Sequence, residues 1–514
     1  MPVVEVAKFD LERLTGLQFR EVERLLEHVK CEIEEDLGDR LRLEVTHDRP
    51  DHFSAEGLAK TLKGVAGVET GLPKANFRKS SIRLVSEAIE ERPYISMAVV
   101  KDVRLDDEAV RQLIQLQEKI HETYGRGRRK IAIGYYDVAK IRPPIYYRRI
   151  SQDVEYVPLG FSGPITVREM YEKTEQGRKY GGLIRREEPP ALVDSEGRVM
   201  VVVPVLGSEC CKISESTRDV LIDVTGTELR AVTNAMSVLI YSLLERSISK
   251  EVEIVEGGNT YVHSYLRFEL DAKRAGEVLG VELTHGEFVD KVRRARLDYD
   301  REVVAPPYRI NLLSWVDVVE DVALMIGYNR LPREPPGVLS AGRRHKVEIL
   351  TQDLRRLMLI MGFVEINNYV LTDRTVLDVC KAAYVINPIS ELYNAVRCSI
   401  ITQLVATAAT IRRKEVRIFE VGDVVRDGKT KKALAFLISR DGVTLTDGLS
   451  VVKTLCRLSG LSCHTVPASY TWALQNRAAE IRGDVEGYVG EVNPDLLTKL
   501  GHSTPTVVAE LTKL

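Results

Sequence analysis

The sequence predicts an α+β protein built from several domains. Its 514 residues correspond to roughly three to four domains of ordinary length. Helix-like and strand-like patterns alternate along the chain, and no fixed-period repeat or low-complexity tract interrupts them. Proline pairs, which cannot lie inside helices, mark loops or strand entries at Pro143-Pro144, Pro189-Pro190, Pro306-Pro307 and Pro335-Pro336.

Local patterns predict the individual elements of the first 260 residues. Ser54 is placed to cap a helix that follows it. An apolar stripe predicts a helix near 108–121, and a strand is expected over 130–141. A buried strand around 199–205, broken by Pro204, and a helix over 228–247 complete this part. The stripe of the helix near 108–121 consists of Val110, Leu113, Ile114 and Ile120.

The second half of the sequence predicts fewer but longer elements. A helix over 272–280 is expected to end at Gly280, which suits a left-handed C-cap. Residues 334–342 form the clearest linker. A helix over 345–363 follows, and two strands are predicted over 417–425 and 432–439.

Composition excludes several classes of protein. The net charge is −2, so nucleic acid would have to be bound through local patches or through a partner. No apolar run approaches the ~20 residues that span a bilayer. The acidic residues Glu5 and Asp10 exclude a signal peptide at the N-terminus.

The seven cysteines predict a reducing compartment. None forms a C-x-x-C pair, and the adjacent Cys210 and Cys211 could not pair without strain. Cys463 beside His464 is half of a zinc pattern, but an ordinary buried thiol is the favoured interpretation.

Familiar catalytic motifs are missing from the sequence. It contains no G-x-x-x-x-G-K-[ST] phosphate loop, no G-x-S-x-G turn and no H-E-x-x-H pair. The glycine-containing run at 125–130 precedes its strand instead of following one, which argues against a dinucleotide site. The sequence of this chain alone therefore shows no recognisable catalytic motif.

Six segments, in order along the chain, resemble one family. The sequence is similar to the β subunits of archaeal and eukaryotic phenylalanyl-tRNA synthetases. The matching segments are residues 116–144, 217–228, 266–283, 306–332, 387–400 and 418–425. The resemblance implies a cytoplasmic α2β2 class II synthetase whose α subunit uses ATP to attach phenylalanine to tRNA(Phe). It also implies that many β subunits hydrolyse mis-charged Tyr-tRNA.

The resemblance also suggests a division into domains. We expect an N-terminal α/β domain over 1–90 and an editing-type domain over 91–260. A small helical, nucleic-acid-binding-like module is expected over 261–340. A catalytically silent, class II synthetase-like antiparallel sheet domain is expected over 341–514.

An acidic helix is a candidate magnesium site. Asp317, Glu320 and Asp321 share one helical face, and carboxylate oxygens suit Mg2+. The resemblance implies the same ligands, although Asn311 stands where the family usually has a fourth acid. The alternative is structural: Ser314 and Asp317 are spaced to cap the helix.

The candidate editing residues are Asp223 and Thr225, which match positions of the family's editing pocket. A pocket that hydrogen-bonds the tyrosine hydroxyl would discriminate strongly against phenylalanine. As a structural alternative, Thr225 and Glu228 are spaced as a capping box and Asp223 would accept backbone bonds in the same turn.

One segment departs from the family pattern of the editing pocket. The family usually reads close to Ser-Phe-Pro-Pro-Ile-Ile-Asn-Ser where this chain reads VVVPVLGS over 201–208. Val201, Val203 and Gly207 replace Ser, Pro and Asn, so hydrogen-bonding side chains are lost from the expected pocket.

Further charged residues have functional and structural interpretations. Arg397 resembles the ATP-binding arginine of class II domains, but a structural ion pair is favoured for it, and Glu420 is expected to have a similar structural part. His47 and His52 are interpreted as polar turn residues and not as metal ligands. The basic run Arg126, Arg128, Arg129 and Lys130 is either a tRNA contact or a solvated loop.

Two rival functions remain open at this point. One is a free-standing aminoacyl-tRNA hydrolase, which an intact pocket would favour. The other is a non-catalytic tRNA-binding or assembly protein, which the changes at Asn311, Val201 and Gly207 would favour.

Overall fold

The computed structural model describes residues 1–334, 337, 341–373 and 380–512. The chain divides into two compact units, a first unit of residues 1–335 and a second unit of residues 336–514. Most of the predicted linker at 334–342 lies outside the described residues. In the described ranges no helix has the length and apolar character needed to cross a membrane.

The first unit contains ten helices and seventeen strands in its described residues. The helices are α1 Lys8–Thr15, α2 Phe19–Leu25, α3 Ala55–Ala66, α4 Asp107–Glu122, α5 Val167–Lys173, α6 Glu175–Tyr180, α7 Leu229–Leu243, α8 Ala272–Leu279, α9 His285–Arg294 and α10 Trp315–Ile326. The strands are β1 Val3–Ala7, β2 Cys31–Asp36, β3 Arg40–Val45, β4 Asn76–Ser86, β5 Tyr94–Val100, β6 Ile131–Asp137, β7 Ile145–Arg149, β8 Glu155–Tyr156, β9 Ile165–Thr166, β10 Pro190–Val193, β11 Val199–Val202, β12 Leu206–Gly207, β13 Val220–Gly226, β14 Glu251–Glu256, β15 Leu266–Phe268, β16 Asp298–Asp300 and β17 Glu302–Ala305.

A nine-stranded sheet forms the centre of the first unit. Its order is β12-β11-β10-β7-β4-β14-β5-β13-β6. The strand β13 pairs antiparallel with both β5 and β6 and is buried along its whole length. Because side chains alternate along a strand, Asp223 and Thr225 point to one face, whereas Ile222 and Val224 join the core that contains α7.

This sheet includes β4, which begins at residue 76 and so precedes the predicted boundary at residue 90. The two predicted boundaries inside the first unit stay predictions.

Most of the predicted elements of the first unit are confirmed. The helix α4 covers the predicted 108–121, and Gly280 ends α8 with a left-handed φ of 68°. Ser54 is at the N-cap position of α3, but its hydroxyl makes no capping hydrogen bond and contacts Ser242 instead. The strand predicted over 130–141 is shorter, since β6 ends at Asp137 and a 3-10 turn follows. Ile114 of the predicted stripe is not buried in the core: its side chain is 50% exposed and lines a cavity.

The second unit contains four helices and ten strands in its described residues. The helices are α11 Lys346–Ile360, α12 Ile401–Thr410, α13 Leu445–Ser459 and α14 Pro494–Lys499. The strands are β18 Val364–Glu365, β19 Leu371–Thr372, β20 Ala383–Tyr384, β21 Ala395–Val396, β22 Val416–Arg426, β23 Lys429–Ser439, β24 Cys463–Ala468, β25 Ala473–Gly483, β26 Gly487–Val492 and β27 Thr506–Leu511. Seven of these strands form a mainly antiparallel sheet in the order β18-β22-β23-β27-β26-β25-β24. The helices α11 and α13 pack on one face of it, and α12 and α14 contribute to the core on the other. The predicted helix over 345–363 and the two predicted strands are confirmed as α11, β22 and β23.

Two disulfides in the second unit correct the cysteine analysis. Cys380 is bonded to Cys398, and Cys456 to Cys463. Cys463 is therefore neither half of a zinc site nor a free thiol. No local pattern predicts these pairs, because their partners are 18 and 7 residues apart and meet only in the folded chain.

A buried ion cluster joins the N-terminal helices to the segment after α7. Arg246 donates to Asp10 over 2.7 Å and also to Glu56, and all three side chains are almost fully buried. Asp10 also pairs with the half-exposed Arg13, whereas Glu56 has only Arg246, so removal of Arg246 leaves the buried Glu56 carboxylate unpaired.

We expect Arg246→Met to lower the free energy of unfolding by about 3–5 kcal/mol, since Glu56 would stay buried without its cation and Asp10 would keep only Arg13. Denaturant unfolding followed by circular dichroism measures this change. Arg13→Met is a matched control, because Arg13 contacts the same Asp10 but has a side chain that is 45% exposed; its cost should stay below about 1 kcal/mol. Equal losses from the two variants would contradict the prediction.

Candidate functional site

A cavity of about 480 Å³ lies in the first unit against β6 and β13. Asp223 and Thr225 both line it, so the structure brings the two predicted editing residues together. The segment 201–208 forms a further wall, and α4 contributes the side chains of Ile114 and Gln117.

Asp223 is the buried acid of this cavity. The Tyr136 hydroxyl donates a hydrogen bond to Asp223 Oδ1 over 2.6 Å. Gly134 makes this contact possible, because a Cβ at that position would lie 2.3 Å from the same oxygen. Burial raises the pKa of Asp223 to about 7, although the Tyr136 hydrogen bond and the charge of Arg92 act in the opposite direction. The carboxyl group can therefore exchange a proton near neutral pH.

Thr225 lies inside β13, and both structural alternatives for this segment are wrong. Glu228 is the N-cap residue of α7, so Thr225 takes no part in a capping box. Asp223 lies in a strand and accepts from Tyr136, not from a turn. The strand pairs with neighbours on both sides, and this pairing outweighs the local capping pattern.

The guanidinium of Arg92 lies beneath Thr225. It is almost fully buried and donates to the Thr225 carbonyl over 2.9 Å and to Thr225 Oγ1 over 3.4 Å. Burial lowers the pKa of Arg92 to about 10, so the group stays charged at neutral pH. Since arginine can only donate, the Thr225 hydroxyl accepts from it and keeps its own proton for another acceptor.

The wall formed by residues 201–208 is mostly hydrocarbon. Val201, Val203 and Gly207, the residues that depart from the family pattern, all line the cavity. At Gly207 a Cβ would lie 3.1 Å from Leu159 Cδ1, so Leu159 covers the place next to this glycine.

Arg128 is a structural residue of the cavity. Its guanidinium donates to the Val205 carbonyl over 2.8 Å and to Glu118 over 2.9 Å, and it lies 4.3 Å from the ring centre of Tyr180. The predicted basic run does not form one continuous exposed patch. Arg126 and Arg129 are exposed, whereas Arg128 is buried and Lys130 is half-buried. Sequence reasoning missed the cavity roles of Arg128, Arg92 and Tyr136, whose partners are distant in the chain.

The acidic helix α10 does not assemble its three carboxylates. Asp317 accepts from the backbone N–H of Ser314 over 2.7 Å, so the predicted capping box is confirmed. Glu320 pairs with Lys30 over 2.8 Å. Asp321 pairs over 2.6 Å with the buried Arg309, which also donates to Asn311 Oδ1 over 3.1 Å.

Within the described residues, no group of three or more His, Cys, Asp or Glu side chains is placed to hold a metal ion. The predicted ligands as arranged do not fit a shared cation, and the Mg2+ binding predicted from the sequence would require Glu320 and Asp321 to leave their present partners.

Two other predicted residues have structural partners. Arg397 and Glu420 form a buried ion pair of 2.7 Å in the second unit, as the structural interpretation expected. His47 is exposed, whereas His52 is fully buried and hydrogen-bonds Thr61 over 2.9 Å. The expectation of a polar turn is therefore right for His47 and wrong for His52.

Comparisons with known proteins define a tRNA synthetase chain. Residues 268–328 match the model of the tRNA synthetase B5 domain, and residues 331–512 match that of the phenylalanyl-tRNA synthetase β chain CLM domain. The chain is 66% identical to the phenylalanine–tRNA ligase β subunit of Pyrobaculum aerophilum, with 99% of each chain covered. It is 39% identical to that of Thermofilum pendens, over 99% of this chain and 97% of the relative.

A solved structure extends this likeness to the first unit. An N-terminal fragment of the phenylalanyl-tRNA synthetase β subunit from Pyrococcus horikoshii is 35% identical, with a TM-score of 0.59. The match covers 64% of this chain and 100% of the fragment. The chain therefore belongs to the family of phenylalanine–tRNA ligase β subunits, and it is a subunit of a ligase that acts in protein biosynthesis.

Calorimetric titration with MgCl2 tests the metal prediction. Because Glu320 would have to leave Lys30 and Asp321 would have to leave Arg309, we expect no saturable heat of binding and no change of melting temperature with EDTA. The same titration of the variant Lys30→Met shows whether the ion pair with Lys30 prevents Mg2+ binding, since this variant frees the Glu320 carboxylate. Saturable binding that Asp317→Asn abolishes would contradict this expectation and establish the magnesium site.

Proposed function

We propose that this chain assembles with a separate α subunit into a cytoplasmic α2β2 phenylalanine–tRNA ligase. The α subunit would carry the attachment of phenylalanine to tRNA(Phe) with ATP. Membership of the β-subunit family over the whole chain carries this proposal. The buried pair of Arg397 with Glu420 supports it, because an arginine already committed inside the fold is not free to hold ATP.

Co-expression with the α subunit tests the assembly. Light scattering should give the mass of a heterotetramer, and only the complex should attach phenylalanine to tRNA(Phe). Two chains that fail to associate would overturn the proposal and favour a free-standing hydrolase or a non-catalytic tRNA-binding protein.

We further propose that the cavity hydrolyses mis-charged aminoacyl-tRNA. Asp223 carries this proposal, because it is a buried carboxyl group with a pKa near 7 on the wall of the cavity. A base that is poised near the working pH is effective in proton transfer. As the carboxylate, Asp223 takes a proton from a water molecule whose oxygen attacks the ester carbonyl carbon. The bond to the ribose oxygen then breaks, and that oxygen receives the proton.

Thr225 has a complementary part in this proposal. Its hydroxyl proton is not used by Arg92 and is free to be donated towards the cavity. A hydrogen bond to the ester carbonyl oxygen would stabilise the negative charge that develops there during attack. The positive charge of Arg92 beneath Thr225 strengthens this effect.

The pH profile of deacylation tests the part of Asp223. Since the Tyr136 hydrogen bond lowers the pKa of Asp223, Tyr136→Phe should raise that pKa and move the acid limb of the rate profile to higher pH. Tyr135→Phe is the matched control, because the neighbouring Tyr135 hydroxyl is buried and makes no hydrogen bond in the described structure. Identical profiles for both variants would show that Asp223 is not the titrating base.

A further inference from the structure

Most of the polar side chains that line the cavity are already hydrogen-bonded or ion-paired to other protein groups. Asp223 accepts from Tyr136, Arg128 pairs with Glu118, and Ser208 donates to the Val157 carbonyl over 3.1 Å. Burial alone would raise the pKa of Glu118. The hydrogen bond with His121 and the charge of Arg128 lower it to about 2, so Glu118 stays ionised and paired. Arg128, Glu118 and Ser208 therefore keep the cavity in shape, and Asp223 has the part of the base proposed above.

Two amide side chains on the cavity wall are free. Gln117 on α4 and Gln176 on α6 both line the cavity and are half-buried. In the described part of the chain, neither amide group has a hydrogen-bond partner. Each amide can donate two hydrogen bonds and accept two, so each can serve a hydroxyl either as donor or as acceptor.

Arg128 holds the two helices that carry these amides. It pairs with Glu118, the residue after Gln117, and lies over Tyr180, which is four residues after Gln176 on α6. Residues four apart share a helical face, so Gln176 faces the same side as Tyr180. The same guanidinium therefore ties α4 and α6 to the wall of one cavity, which Gln117 and Gln176 both line.

We propose that Gln117 and Gln176 are the specificity-determining residues of the hydrolytic site, and that they recognise aminoacyl esters with a hydroxyl group on the side chain. The inference rests on the hydrolytic function proposed above. The wall at Val201, Gly207 and Leu159 offers no polar side chain to such a hydroxyl. A hydroxyl buried there without a partner would lose its hydrogen bonds to water, whereas the amides replace them.

The test compares two substrates on the complex of this chain with the α subunit. We would measure kcat/KM for deacylation of two substrates, tRNA(Phe) charged with tyrosine and tRNA(Phe) charged with phenylalanine. AMP and pyrophosphate are left out of the incubation. In the double variant Gln117→Met and Gln176→Met, which keeps side-chain size and removes both amides, we expect the tyrosine-to-phenylalanine ratio to fall by about tenfold. Hydrolysis of the phenylalanyl ester should be unchanged.

Gln152→Ala is the matched control, because Gln152 is also half-buried, makes no side-chain hydrogen bond in the described structure and does not line the cavity. An equal fall for both esters, or an unchanged ratio, would overturn the specificity proposal while leaving the hydrolytic function in place. Wild-type complex that hydrolyses neither ester would overturn the hydrolytic function itself, and the specificity proposal with it.

Discussion

The cavity depends on the buried guanidinium of Arg128. Three elements that are far apart in the sequence meet at this group: α4 through Glu118, the 204–205 backbone through its carbonyls, and α6 through the ring of Tyr180. Arginine suits this position because its planar group presents several donors in fixed directions and also stacks on aromatic rings. A lysine offers a single point charge, so it could not serve all three contacts at once.

The second constraint is the cost of keeping Asp223 out of water. Its pKa in the folded chain is about 7, above the ordinary value of a carboxyl group, so the folded state holds its proton more tightly than the unfolded state does. Asp223 therefore makes the folded state less stable as the pH rises from the unfolded pKa to about 7, and above the folded pKa this loss levels off. A chain selected for stability alone would place an apolar residue on this buried strand.

Sequence reasoning succeeded where structure is determined locally. The apolar stripe of α4, the start of α3 at Ser54 and the left-handed residue Gly280 depend on neighbours within one or two turns. It failed at Thr225, where an equally good capping pattern lost to strand pairing with β5 and β6. It also failed for the disulfides and for Arg128, since nothing near these residues in the sequence indicates their partners. Asp223 and Thr225 were found through the family resemblance and not through any local pattern.

The chemistry of the cavity wall limits how a hydrolytic site could tell two aromatic side chains apart. A hydrocarbon wall such as that at Val201, Gly207 and Leu159 cannot strongly reject phenylalanine, because the missing hydroxyl costs nothing there. A β subunit that hydrolysed phenylalanyl esters would undo the product of its own ligase. Discrimination therefore has to come from groups that lose hydrogen bonds when the hydroxyl is absent. Among the lining residues that the structure describes, the amides of Gln117 and Gln176 are in a position to do so.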